Sequence, residues 1–132
     1  MALGPSTYLV DKWFRAAFMA TSFSIAQAYV QLHSGADPGG AGTTGVATDS
    51  TRKAVTMGAP VITTGLVTIS NSAQVQWTGL TAAQDAQSYS LWDALTVGNF
   101  LGSGLITANA YGIGDSLTFA IGDIDIALNC AS

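Results

Sequence analysis

The sequence predicts an all-β protein, a jelly-roll-like β-sandwich of about eight strands preceded by one N-terminal α-helix. From residue 26 onward, short segments rich in valine, isoleucine, threonine and aromatic residues are separated by glycine and polar turns, which is typical of β structure. Only residues 6–20 have a convincing helical pattern. Near the C-terminus the apolar positions change from odd to even numbers at Gly122–Asp123, which indicates a bulge or a corner where the chain changes sheets.

The helix is predicted over residues 6–20, with Ser6 as its N-cap directly after Pro5. Asp11 and Arg15 lie one helical turn apart on its polar side. Its apolar residues cover much more than the usual stripe of about 100°; they are Leu9, Val10, Trp13, Phe14, Ala17 and Phe18. We therefore expect the helix either to pack deeply under a sheet or to dock its second apolar side on a neighbouring subunit.

The strands are predicted from alternating and β-branched segments. Residues 34–51 form one long glycine-rich loop between two of them, and we expect this loop at a surface or a contact. Residues 1–24 are assigned to an N-terminal helical arm and residues 25–132 to the sandwich, together one compact domain. The predicted strands are residues 27–33, 51–57, 61–70, 73–78, 87–93, 99–107, 115–121 and 123–129.

Charged residues are unusually rare in this chain. They make up 9% of its 132 residues, against roughly 25% in an ordinary soluble domain, and the net charge is −4. The few cations form no basic stripe, so nucleic acid is not an expected partner. The sequence has no apolar run of ~18 residues, so no membrane span is expected, and its N-terminus does not resemble a signal peptide, which predicts synthesis in the cytoplasm.

The residues able to carry catalysis are few: His33, Cys130 and eight aspartates. The sequence contains no Gly-x-Ser-x-Gly motif, so we expect no catalytic residues and no enzyme activity. A small hydrolase that depends on His33 stays an alternative. If His33 is not catalytic, we expect it at the end of a strand, where its side chain forms a hydrogen bond to the following loop. Asp37 is a candidate partner for this bond. The lone cysteine excludes an internal disulfide and a cysteine-based zinc site.

Two further segments are considered as ligand sites. Residues 35–42 are rich in glycine but lack the Lys-Ser/Thr pair that completes a phosphate-binding loop. Asp123 and Asp125 lie two residues apart and have the oxygen ligands of a cation site, but the alternating pattern favours the solvated face of a strand. We therefore expect neither a cofactor nor a metal.

Three segments, taken in order, resemble a known family. Residues 29–39 form a strand ending in Leu-His-Ser followed by Asp-Pro-Gly, residues 89–101 contain Leu-Trp-Asp and a Gly-Asn turn, and residues 114–128 hold a Gly-Asp-Ser-Leu strand pair. With the apolar N-terminal helix, this order resembles small virion proteins of tailed bacteriophages labelled tail-fibre-like or head-decoration proteins. The resemblance implies a jelly-roll-like sandwich, a trimeric homo-oligomer and a position in the virion after synthesis in the host cytoplasm.

The leading hypothesis is a structural virion protein that decorates or cements the capsid by subunit packing. Its expected partners are the major capsid protein or other virion proteins, and further copies of itself. The alternative is a tail-fibre or tail-tip component that binds a host-surface glycan or receptor, with Tyr29, Tyr89 or Tyr111 stacking on sugars. The residues predicted to form the assembly interface are Leu9, Trp13, Phe14, Phe18, His33, Asp37 and Pro38.

Overall fold

A computed structural model describes residues 3–48 and 51–131. Within these ranges it contains one helix and ten strands, which confirms the all-β prediction with an N-terminal helix. The elements are β1 (Gly4–Pro5), α1 (Thr7–Phe18), β2 (Ala28–His33), β3 (Lys53–Val55), β4 (Val61–Thr63), β5 (Leu66–Ser70), β6 (Val75–Trp77), β7 (Gln84–Trp92), β8 (Phe100–Tyr111), β9 (Leu117–Phe119) and β10 (Asp125–Asn129).

The strands form three antiparallel sheets with the orders β1-β8-β7-β2-β3, β10-β5-β4 and β6-β9. In the five-stranded sheet, Val30 lies opposite Leu91 and Leu32 opposite Tyr89, and all four side chains are buried. The smaller sheets pack on this apolar face, with β10 against β1 and β8, and β6 against β3. The result is a β-sandwich whose core lies between the large sheet and the two small ones.

Ser6 joins the helix to the sandwich. Its Oγ accepts a hydrogen bond from the Leu9 amide at 3.1 Å and donates one to the Phe100 carbonyl at 2.5 Å, while its amide donates to the Leu101 carbonyl at 2.8 Å. The predicted N-cap is therefore confirmed, and the same side chain also attaches the helix to β8. Asp11 and Arg15 form the expected ion pair, at 2.9 Å.

One predicted strand, residues 61–70, is wrong as a single element. The structure divides it into β4 and β5, which pair as a hairpin with Thr63 opposite Leu66. Gly65, in the turn, has a φ of +74°, a left-handed conformation that glycine adopts without a steric penalty. Most residues on both sides of Gly65 are β-branched. The sequence pattern therefore predicts one continuous strand and does not indicate the turn.

The predicted change of sheets near Gly122 is confirmed, since β9 pairs with β6 and β10 pairs with β5. Asn71, 1% exposed, holds this corner through its side-chain amide. Its Oδ1 accepts from the amides of Gly122 at 3.0 Å and Ile124 at 2.9 Å, and its Nδ2 donates to the carbonyls of Ala73 at 2.8 Å and Ala120 at 2.9 Å. All the polar atoms of this buried side chain are therefore satisfied.

The alternation does not continue to the end of the predicted strand 115–121. Leu117 and Phe119 are buried as expected, whereas Ile121 is 69% exposed. The strand ends at Phe119, and Ile121 belongs to the turn that the Asn71 side chain holds. The turn therefore removes Ile121 from the core that the odd-numbered pattern predicted for it.

We predict that Asn71→Asp destabilises the protein by about 3 kcal/mol, because the carboxylate cannot donate to the two carbonyls and is itself buried beside them. Urea denaturation at neutral pH measures the loss. Asn129→Asp, on an exposed residue of β10, is the matched control and should change the stability little. An equal effect of the two substitutions would contradict the assigned role of Asn71.

Candidate functional site

The residues predicted to form the assembly interface differ in exposure. Phe14 is 60% exposed and Phe18 is 81% exposed, whereas Trp13 and Asp37 are half-buried. Leu9, His33 and Pro38 are buried within the chain itself. Among them, the helix therefore supplies the large apolar side chains that remain available to another molecule.

These exposed residues lie on the side of α1 that faces away from the core. The rings of Phe14 and Phe18 are 6.3 Å apart, and Met19, the C-cap residue that follows them, is 63% exposed. We call Phe14 and Phe18 the outer aromatic face. Leu9 packs in the core, while the second apolar side of the helix is exposed; docking of that side on a neighbouring subunit stays a prediction. Contiguous exposed apolar surface of this kind is typical of an interaction site.

His33 lies on the other face of the large sheet, where residues 34–48 of the following loop cover it. Its Nδ1 is 2.7 Å from the Thr44 carbonyl and its Nε2 is 2.7 Å from Ser90 Oγ. Because a carbonyl only accepts, Nδ1 carries the proton, and Ser90 donates to Nε2. Trp92 Nε1 in turn donates to Ser90 Oγ at 2.8 Å. His33 therefore bonds to the following loop as expected, through the carbonyl of Thr44.

Asp37 has a local role in the loop. Its Oδ1 accepts from the Gly39 amide at 2.9 Å, which makes a side-chain turn of the kind that aspartate favours. Ser88 Oγ donates to the Gly35 carbonyl at 2.5 Å, and this bond attaches the start of the loop to β7. These bonds hold the loop against the sheet as a cover.

The pairing of Ser90 with His33 resembles a nucleophile and its base. Both residues are 0% exposed, however, so a substrate cannot reach the serine hydroxyl in this structure. The hydrogen bonds satisfy buried polar groups beneath the loop, and we assign them a structural role. Sequence reasoning missed this network, because Ser90 and His33 are far apart in the chain.

The tyrosines proposed for sugar stacking are placed differently from the prediction. Tyr89 is 0% exposed and Tyr111 is 7% exposed, so the expectation that they stack on a ligand is wrong. Tyr89 donates to the Asp125 carbonyl at 2.8 Å and accepts from the Asp125 amide at 2.9 Å, and burial raises the pKa of its hydroxyl. Tyr29 is half-buried. Tyr89 points into the core because it shares that face with Leu91.

A polar groove of about 440 Å³ lies between β8 and the last two strands. Asp123 and Asp125 lie along it and are exposed, as expected for the solvated side of the chain; Asp123 Oδ2 accepts from the Ala120 amide at 2.8 Å. In the two described ranges, no group of three or more histidine, cysteine or acidic side chains converges as metal ligands would. No helix in those ranges is long and apolar enough to cross a membrane.

The burial of His33 predicts a pH dependence of stability. Burial lowers the pKa of His33 below its ordinary value of 6.5, so between the folded and unfolded pKa values only the unfolded chain binds the proton. The free energy of unfolding should therefore fall as the pH decreases below 6.5, by up to about 1.4 kcal/mol per pH unit, and level off below the folded pKa.

Urea denaturation between pH 7.5 and 5 tests this prediction. His33 is the single histidine of the chain, and aspartates ordinarily titrate near pH 4, below this window. A His33→Gln variant, less stable throughout, should lack the decline. A wild-type stability that is constant over the window would contradict the prediction.

Comparison with known proteins connects this architecture with a family. The family model described as Podophage GP4 fiber I protein gp80 matches residues 4–127, which include the helix and nearly all of the sandwich. A comparison with curated proteins found no match. The family match confirms the resemblance to tailed-phage virion proteins and supports a location in the virion. Because the match spans almost the whole sequence, the chain belongs to the Podophage GP4 fiber I protein gp80 family, a family of structural virion proteins.

Proposed function

We propose that the protein is a non-enzymatic subunit of a virion fibre that attaches to another virion protein through the outer aromatic face of α1. The observation that carries the proposal is the exposure of Phe14 and Phe18, 60% and 81%, on a chain with few charges. The family description names a fiber protein, and this favours a fibre over the capsid decoration that was the leading hypothesis from the sequence.

The physical basis of attachment is the burial of apolar area. Covering a few hundred Å² contributes several kcal/mol at ~25 cal/mol per Å², before the costs of association are subtracted. Because 9% of the residues are charged, repeated copies repel one another little and their binding depends weakly on salt. We expect a homo-oligomer, with a trimer favoured, and no cofactor.

Capsid decoration or cementing would use the same apolar face with the major capsid protein as partner. Position on the particle separates the two functions. An epitope fused to the C-terminus and labelled with gold on intact particles should appear on the fibres in electron micrographs. Label spread over the head would overturn the fibre assignment and establish decoration.

A host-surface glycan is a second candidate ligand, favoured by the polar groove between β8 and β10. Thr107, Asn109, Thr118, Asp123 and Asp125 line this groove, and such side chains hydrogen-bond to sugar hydroxyls. Binding of the purified protein to host cells, compared with an Asp123→Ala variant, tests it. Equal binding of the two proteins would exclude this groove as a receptor site.

We predict that Phe14→Ser combined with Phe18→Ser leaves the sandwich folded, because both rings face away from the core, but lowers the occupancy of the protein on particles about tenfold, equivalent to ~1.4 kcal/mol. Quantitative immunoblotting of purified particles measures occupancy. The matched control combines Ile113→Ser with Ile121→Ser, which are 77% and 69% exposed elsewhere on the surface. Unchanged occupancy of the phenylalanine variant would contradict attachment through α1.

A further inference from the structure

The connection between β7 and β8, residues 93–99, is held rigidly at its base. The guanidinium of Arg52 lies 3.8 Å from the centroid of the Trp92 ring, a cation–π contact. Its Nη1 donates to the Ala94 carbonyl at 2.9 Å and to the Val97 carbonyl at 2.6 Å. One side chain therefore connects the last residue of β7 with both sides of the turn.

A second set of hydrogen bonds closes the same connection. The Asp93 carboxylate accepts from the Asn99 amide at 2.7 Å and from Asn99 Nδ2 at 2.8 Å. Gly98, beside Asn99, has a φ of +73°, and a Cβ there would lie 2.6 Å from the Asp93 carboxylate. The turn is consequently preorganised by polar contacts at its base.

The tip of this turn is apolar and strained. Val97 has a φ of +58°, a conformation that is a genuine outlier for a β-branched residue, and its side chain is 85% exposed. Leu95, two residues earlier, is 51% exposed. Strain of this kind persists when surrounding contacts enforce it, and it clusters at functional sites. We call Leu95 and Val97 the apolar tip.

The opposite side of the large sheet has a concave apolar surface. An open apolar groove of about 410 Å³ is large enough for a leucine and a valine side chain together. No charged residue of the described chain lines it, and its walls include Trp13, Ile25, Ala28, Thr56, Met57 and Leu91.

A chain cannot place its own tip in its own groove. Leu91 lines the groove, whereas the next residue, Trp92, carries the Arg52 contact that holds the tip. The β7–β8 pairing is irregular between Leu91 and Trp92, but Trp92 Nε1 donates to Ser90 Oγ on the His33 face whereas Leu91 packs in the core, so the two features lie on opposite sides of the large sheet. A contact between them must join different copies, and such a heterologous contact produces a ring or a line of subunits.

We propose that the apolar tip of one copy docks in the apolar groove of a second copy. Charge supports a second copy as the occupant, since a chain with a net charge of −4 associates with itself most readily where both surfaces are uncharged. Residues 94–98 and the groove lining contain no charged side chain. The rigid base of the turn reduces the entropy lost on docking.

Val97→Gly tests the tip, because glycine adopts the positive φ without strain. The melting temperature should therefore not fall, while the dissociation constant for self-association, measured on the full-length protein by analytical ultracentrifugation, should rise at least tenfold. Leu95→Ser should weaken association similarly. Ile113→Ser, on an exposed residue outside both surfaces, should leave association unchanged.

Thr56→Asp tests the groove, because it places a carboxylate on an exposed residue of the groove wall. Thr64→Asp, in the exposed β4–β5 turn, adds the same charge elsewhere and is the matched control. A tenfold weakening by Thr56→Asp but not by Thr64→Asp, together with the tip results, supports the proposal. A monomeric wild type at high concentration, or association unchanged by either the tip or the groove variants, overturns it.

The inference deepens the proposed fibre function by assigning the contact between copies, and the two can fail separately. Self-association of the purified protein tests the contact of tip and groove, whereas gold labelling of particles tests the position in the virion. If the tip and groove variants lose self-association but the gold label lies on the head, the contact between copies is supported and the fibre assignment is wrong.

Discussion

Coverage of the large sheet on both faces is the constraint on which the rest of this structure depends. One face packs on the two small sheets, and residues 34–48 of the glycine-rich loop pack on the other. A buried polar group must find a partner inside the protein, so Trp92, Ser90 and His33 bond in series, in that order, and the series ends on the Thr44 carbonyl. The same burial lowers the pKa of His33 and keeps its ring neutral.

This coverage also determines which residues remain for interactions. Most of the aromatic rings on the strands pack inside: Trp77 and Tyr89 both lie against Phe119 in edge-to-face contacts. His33 and Ser90 are fully buried beneath the loop. Phe14, Phe18, Leu95 and Val97 remain exposed on a chain of low charge, and these side chains are the basis of the contacts proposed above.

The two apolar surfaces to which contacts are assigned differ in how the structure holds them. The outer aromatic face belongs to a regular helix whose capping residue, Ser6, is attached to β8. The apolar tip belongs to a turn in which Arg52 and Asp93 hold Val97 in a strained conformation. A helix face and a preorganised turn on different parts of the molecule permit two different contacts, one to another virion protein and one between copies.

The sequence by itself determined the features that depend on neighbouring residues. Capping by Ser6, the Asp11–Arg15 pair, the apolar alternation of β2 and the change of sheets near Gly122 are consequences of local geometry with a fixed period. Only the tertiary structure decided the features that depend on distant segments. Alternation shows that two faces of a strand differ, but it does not show whether a loop covers the second face. The burial of His33, the network at Asn71 and the stacking of Arg52 on Trp92 all require contacts between residues far apart in the chain, and the sequence pattern contains no period that reports them.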